Sequence, residues 1–308
     1  MKKILALICL LMTIGVTTNA QQDLLLSQQF YSRINKNPAG TGNVSDLDFF
    51  LLGHYQYIDI KDAPKSMVFN VQTFLDKYSS GVGFSLSYDN IGVAKSTTNA
   101  KLVYAYSMKL NETGLLSFGL SAGIQYGYFN SDKYTYEDIT EITDGDIPDG
   151  KQTKFQPDFD FGVEFATPRF LLGASITHLT NNETTTLISG RHFYGYTRYI
   201  FKVNEIWDVA PSLVYMHKGR IDVAELGATA FYNRFIWGGL TYHPDINGKF
   251  ETNPVAFNIG VEYRSMRIGY TFDWAFGKVS RLSGNGHELM LSYSLPNKHK
   301  EPVYEKFE

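Results

Sequence analysis

Apolar and small or polar positions alternate along most of the chain, most regularly in LLSFGLSAGIQYGYFNS at residues 115–131. Leu116, Phe118, Leu120, Ala122, Ile124, Tyr126 and Tyr128 fall on one side of an extended backbone there. Ser117, Gly119, Ser121, Gly123, Gln125 and Gly127 fall on the other, because side chains in a strand switch faces with period two. The same pattern, bounded by turn residues, predicts strands at 46–57, 64–74, 81–90, 97–110, 115–130, 157–166, 170–180, 191–203, 206–217, 221–232, 234–242, 254–263, 266–276 and 286–296, about fourteen in all. No segment beyond residue 20 keeps a helical period, and neither a tandem repeat nor a linker divides the chain. One all-β domain is expected.

The connections add topology. NETG (111–114), TPR (167–169), NE (204–205), NR (233–234) and RS (264–265) are short, whereas 131–156, 181–190, 243–253 and 277–285 are long. Short turns at one end and long loops at the other describe an up-and-down transmembrane antiparallel barrel. An even strand count then puts both termini on the short-turn side. The faces agree. One is largely small, with Gly83, Ser85 and Ser87, Gly173, Ser175 and Thr177, or Gly269, Thr271 and Asp273. The other is apolar, with Phe159, Phe161, Val163 and Phe165, or Ile268, Tyr270, Phe272 and Trp274. A soluble exterior would carry many Lys and Glu, whereas a lumen accepts small residues and paired charges and lipid rejects charge. The apolar face is therefore expected outside, against lipid, with Trp207 and Trp274 near opposite strand ends as interfacial anchors.

Residues 1–20, MKKILALICLLMTIGVTTNA, have the basic start, apolar core and small-residue end of a secretory signal. Cys9, the single cysteine, lies within it, so a processed chain has no disulfide, thiol nucleophile or cysteine metal site. Removing the segment takes away two lysines and no acid, moving the formal net charge from −3 to −5. That balance offers nucleic acid no electrostatic footing. Aromatics make up 15% of the chain, as interfacial girdles require.

Few motifs carry chemistry. Lumen-side charges by register are Asp160, Glu164, Glu225, Glu262, Asp273 and Glu288, with Lys109 and Arg267 as possible partners; a salt-bridged filling is the simpler reading, an ion-selective lining the sharper one. DGDIPDG at 144–150 sets Asp144, Asp146 and Asp149 among glycines, but the third acid is one place late for a calcium loop and no bidentate Glu follows. It reads as a solvated acidic loop. The histidines stand singly, none with a Ser two places on, and no nucleophile, base and orienting group can be assembled. GVG and GNG lack a following helix, so phosphate binding has no support. The chain is read as non-enzymatic, with no cofactor and no metal.

QQDLLLSQQFYSRINKNPAGTGN at 21–43 is more specific. Gln21, Gln22, Asp23, Ser27, Gln28, Phe30, Asn37, Pro38, Ala39 and Gly42 resemble the N-terminal signature of the PorP/SprF family, outer-membrane proteins associated with type IX secretion and gliding motility. DAPKSMVFNVQ, GVGFSLSYDNIGVAKSTTNAKLVYAYSMKL, LLSFGLSAGIQYG, QPDFDFGVEF, RFLLGASITHLT, FIWGGLTY and GHELMLSYSL follow in the family's order. Leu24, where a Pro is common, and Gly40-Thr41, in place of Tyr-Ala, depart from it. The resemblance implies a helper in secretion or surface attachment of a large adhesin-like cargo, partnering the type IX translocon or periplasmic ring. It also nominates Gln28, Phe30, Asn37, Pro38 and Ala39 for partner binding.

The expected organisation is a signal at 1–20, a periplasmic or plug segment at 21–45, an outer-membrane barrel at 46–296 and a periplasmic tail at 297–308. Segment 21–45 holds Leu24, Leu25, Leu26, Phe30, Tyr31 and Ile34, more apolar residues than an unattached tail needs. It therefore fills the lumen or packs at the periplasmic rim, with Asn37-Pro38-Ala39 as a turn toward the first strand. A passive or fatty-acid-type transporter is the alternative, and a hydrolase ranks last. Protease added to intact cells is expected to cut within 131–156 and spare the tail.

Overall fold

The computed structural model describes residues 26–43, 47–59, 62–133, 150–180, 187–219, 221–244, 255–274 and 285–295. Their strands are β1 (Leu47–Tyr55), β2 (Lys65–Leu75), β3 (Ser80–Ile91), β4 (Lys95–Lys109), β5 (Leu115–Asn130), β6 (Lys151–Ala166), β7 (Phe170–Thr177), β8 (His192–Tyr199), β9 (Phe201–Lys202), β10 (Trp207–Lys218), β11 (Ile221–Tyr232), β12 (Ile236–Tyr242), β13 (Val255–Tyr263), β14 (Met266–Trp274) and β15 (Gly286–Leu295). All pairings are antiparallel between neighbours, and β1 pairs with β15 from Leu47↔Leu295 to Tyr55↔His287. That last ladder closes the sheet, so no edge meets lipid.

Segments β8 and β9 are halves of one strand, because Arg198↔Ser212 and Phe201↔Val209 keep a single register against β10. The break falls beside Pro211, which has no amide hydrogen to give the ladder. Fifteen segments thus make a barrel of 14 strands, the expected architecture.

Exposure follows the predicted faces. On β5, Phe118, Leu120 and Ile124 are 40%, 58% and 50% exposed, whereas Ser117, Ser121 and Gln125 are buried inward. Trp207 and Trp274 both face outward, one at the short-turn end and one at the long-loop end. Among the described residues, β6 begins at Lys151 rather than 157, so the long connection narrows to 131–150. Its first residues, KQTKFQ, lack apolar alternation because Phe155 is the one apolar residue among them, while the ladder to β5 continues through Asn130↔Lys151. The signal at 1–20, the acids Asp144, Asp146 and Asp149, and the tail at 297–308 lie outside the described residues.

Candidate functional site in the barrel lumen

Residues 26–43 lie inside the barrel as a compact coil whose only regular pieces are two single 3₁₀ turns, Gln29–Tyr31 and Pro38–Gly40. Local sequence sets the second turn. Pro38 holds Asn37 extended, at φ −141° and ψ 109°. The Asn37 side-chain oxygen accepts the Ala39 amide at 2.9 Å, capping the turn. Its Nδ2 is thereby aimed at the wall, donating to the Val163 carbonyl at 3.1 Å and the Tyr196 hydroxyl at 3.0 Å. The wall must be bare there: a Cβ on Gly119 would enter the Pro38–Ala39 backbone, and one on Gly162 would collide with the Asn37 amide. Only glycine permits so close an approach.

Two buried carboxylates anchor the coil. Glu164 on β6 takes both branches of Arg33, Nε at 2.8 Å and Nη2 at 3.2 Å, the bidentate arrangement a guanidinium fork favours. The Asn43 side-chain amide and the Tyr196 hydroxyl also donate to Glu164. Glu288 on β15 accepts the amides of Ser27 and Gln28 at 3.2 and 3.0 Å, and Gln28 Nε2 donates to Thr271 at 3.1 Å. Between these anchors, Asn70 donates to Ser32 and Asn35, and Asn35 to Ser85. At the far end, the Gly42 amide donates to Gln72 at 3.1 Å.

Apolar contacts complete the seat. Leu26 packs with Phe50, Leu52, Val68, Trp237 and Met290, and Tyr31 lies 5.0 Å from the Trp237 ring. Phe30 meets Tyr196 edge-on at 6.1 Å, while the Arg198 guanidinium lies 5.1 Å from the Phe30 ring.

Toward the long-loop end, Lys101 Nζ lies 2.8 Å from both Asp158 and Asp160, and His178 Nδ1 lies 2.7 Å from Asp158. Asp158, Asp160 and His178 form a possible cation-ligating set with ligand atoms within 4.8 Å of one another, but the Lys101 ammonium already holds the position between the two carboxylates. A cavity of about 50 Å³ lies against this cluster, bordered by Asn35, Lys36, Ser85, Asn99 and Lys101; it has room for water-sized guests. Ile188, beside Gly127, is also buried, 3% exposed.

The residues nominated from sequence are brought together, in the lumen. Gln28, Phe30, Asn37 and Ala39 are 2%, 9%, 0% and 0% exposed, and Pro38 is buried between them and the wall. Their contacts are with the chain's own barrel. Five of the six lumenal acids have cationic partners: Asp160 with Lys101, Glu164 with Arg33, Asp273 with His54 at 2.9 Å, Glu262 with Arg267 at 2.9 Å and Glu225 with His243 at 3.5 Å; Glu288 accepts the Ser27 and Gln28 amides. Arg267 is a partner as expected; Lys109 is not, being exposed at the end of β4. No motif in the sequence marks Arg33, Lys101 or His54. Lys101 shares the lumen-facing parity of its strand, the one signal that could have found it.

The family model described as type IX secretion system membrane protein PorP/SprF matches residues 18–293. No curated protein matches the chain. Among solved structures, the monoaromatic hydrocarbon channel CymD superposes with a TM-score of 0.53 at 10% identity, covering 91% of this chain and 96% of its own. The Ralstonia pickettii toluene transporter TbuX gives 0.50 at 12% identity, covering 84% and 92%. At such identities the likeness concerns the barrel fold alone. With the family match running through every strand but the end of β15, the chain belongs to the PorP/SprF family of type IX secretion system membrane proteins and is a Gram-negative outer-membrane barrel.

Proposed function

We propose that this barrel assists the secretion or surface attachment of a large adhesin-like cargo, as a non-enzymatic partner of the type IX translocon or its periplasmic ring. The observation that carries the reading is the occupied lumen. A diffusional channel needs a continuous path, whereas here a coil of the chain itself is seated by Arg33–Glu164, Ser27/Gln28–Glu288 and Asn37–Tyr196. The coil acts as a plug, and the barrel serves as a membrane-fixed scaffold. Two of the buried histidines, His54 and His178, are each held by a carboxylate, which favours a structural use for them.

Deleting residues 24–36 behind an intact signal tests this. The barrel is expected to stay heat-modifiable on gels, because water admitted to the opened lumen solvates Glu164 and Glu288, while surface display of the cargo is lost. Display at the wild-type level would sink the proposal. Large conductance of the intact protein in planar bilayers, with normal display in a deletion strain, would establish the transporter instead.

A further inference from the structure

The short-turn end of the barrel presents exposed positive charge. Its turns and adjoining strand ends hold Lys77, Lys109, Arg169, Lys202, Arg234 and Arg264 against Asp76, Glu112, Glu205 and the strand-end acids Asp48 and Asp208. Five of the six (all but Arg234) are exposed and enter no ion pair among the described residues; Arg234 lies 3.7 Å from Asp208. At the long-loop end, residues 131–150 hold seven acids and a single lysine.

These cations stand on an aromatic belt. Phe165–Phe170–Tyr199–Phe201 runs with ring centroids 6.3, 6.4 and 4.5 Å apart. Trp207–Tyr232 and Phe235–Tyr263 continue it at 5.0 and 6.4 Å. Arg264 lies 5.3 Å from the Tyr263 ring and Lys77 5.6 Å from the Tyr78 ring. The turns are tied to one another by backbone bonds, Ile200 to Arg169 at 2.8 Å, Asn233 to Ile206 at 2.6 Å and Glu262 to Phe235 at 2.7 Å. The charges are therefore fixed around a rim. Rings at headgroup depth with cations just beyond them match the order of a leaflet, acyl boundary first and phosphate next.

We propose that this rim is a binding surface for anionic phospholipid of the periplasmic leaflet, its exposed lysines and arginines contacting the phosphodiester groups. The aromatic belt argues for lipid over an acidic protein, because it is continuous with the barrel's lipid-facing band.

The test uses the full chain in nanodiscs of phosphatidylethanolamine with a minor fraction of brominated-chain lipid. A Trp274→Phe background leaves Trp207 in the belt and Trp237 buried in the lumen, so bromine quenching reads the belt. Brominated phosphatidylglycerol should quench as though enriched about fivefold over brominated phosphatidylethanolamine, the factor one basic residue near an anionic surface supplies. High salt should shrink the difference. Replacing Lys77, Arg169, Lys202 and Arg264 by Gln should abolish it, with heat-modifiability unchanged. Equal quenching by the two lipids in the parent, or a preference that survives the four substitutions, overturns the assignment. Equal quenching together with lost cargo display in the fourfold variant would assign the rim to a protein partner instead.

Discussion

Neutralising Glu164 isolates the strongest link between coil and barrel. The Arg33 side chain is 5% exposed and the Glu164 side chain 0%, so Glu164→Gln keeps the shape but strands a guanidinium away from water. Removing one member of a buried pair typically costs about 3–5 kcal/mol. The Asn43 and Tyr196 donors are weakened at the same time, since a carboxamide offers them one oxygen instead of two. The barrel wall does not depend on this pair, because β5, β6 and β7 are held by their own ladders. The loss therefore falls on the seating of the coil. It should raise the fraction of barrels with a displaced coil by roughly two to three orders of magnitude, at about 1.4 kcal/mol per decade. Two readouts report it: the frequency of open events in planar bilayers, and trypsin cleavage after Arg33 or Lys36 in barrels that still shift on heating. Arg33→Gln combined with Glu164→Gln removes the stranded charge and should recover most of the closed behaviour. If Glu164→Gln opens and cleaves no more than wild type, or the double variant is worse than the single, the ion pair is not what seats the coil.

Three further outcomes follow from the same geometry. Gly119→Ala and Gly162→Ala should each loosen the coil and expose Arg33 to trypsin, whereas Gly195→Ala, with open space at its Cβ position, should match wild type; equal behaviour of all three would refute the close-approach argument. Lys101→Met leaves Asp158 and Asp160 facing each other without their cation and should lower the heat-modification midpoint, by about 3–5 kcal/mol of lost stability; adding Asp158→Asn and Asp160→Asn should restore it, and a triple variant no better than the single would be contrary evidence. Tyr31→Ala removes the ring 5.0 Å from Trp237 and should cost the near-ultraviolet signal of that pair plus about 1 kcal/mol beyond lost burial; an unchanged spectrum in a Trp207→Phe, Trp274→Phe background would show that Tyr31 does not sit there in solution.

How far the sequence discloses this molecule depends on the range of the interaction. Strands are local, and alternation over 115–130 returned the β5 bounds, Leu115–Asn130, residue for residue. The start of β6 is not legible, because residues 151–156 carry one apolar residue between polar ones and the strand there is held by its ladder to β5. The Glu262–Arg267 pair was legible because five residues and one tight hairpin join its members. The others were not. Arg33 and Glu164 stand 131 residues apart, Gln28 and Glu288 260, and His54 and Asp273 219. Parity states that each carboxylate points inward, but which cation arrives is decided by barrel closure and by the path of a coil with no period to read. Lys109 was the natural candidate by parity, yet it ends β4 at the rim, where solvent satisfies it and no desolvated carboxylate is within reach. The same reasoning explains why the family signature residues read as a partner surface. Gln, Asn, Pro and aromatics in a segment without alternation look like an exposed recognition motif, whereas in the fold they meet the interior of their own barrel: Asn37 answers Gly162 and Tyr196, Phe30 answers Tyr196 and Arg198, and Gln28 answers Thr271. A polar, glycine-backed seat of this kind holds its occupant by a few specific bonds instead of a continuous apolar core, so loss of one anchor shifts the coil without unfolding the wall that surrounds it.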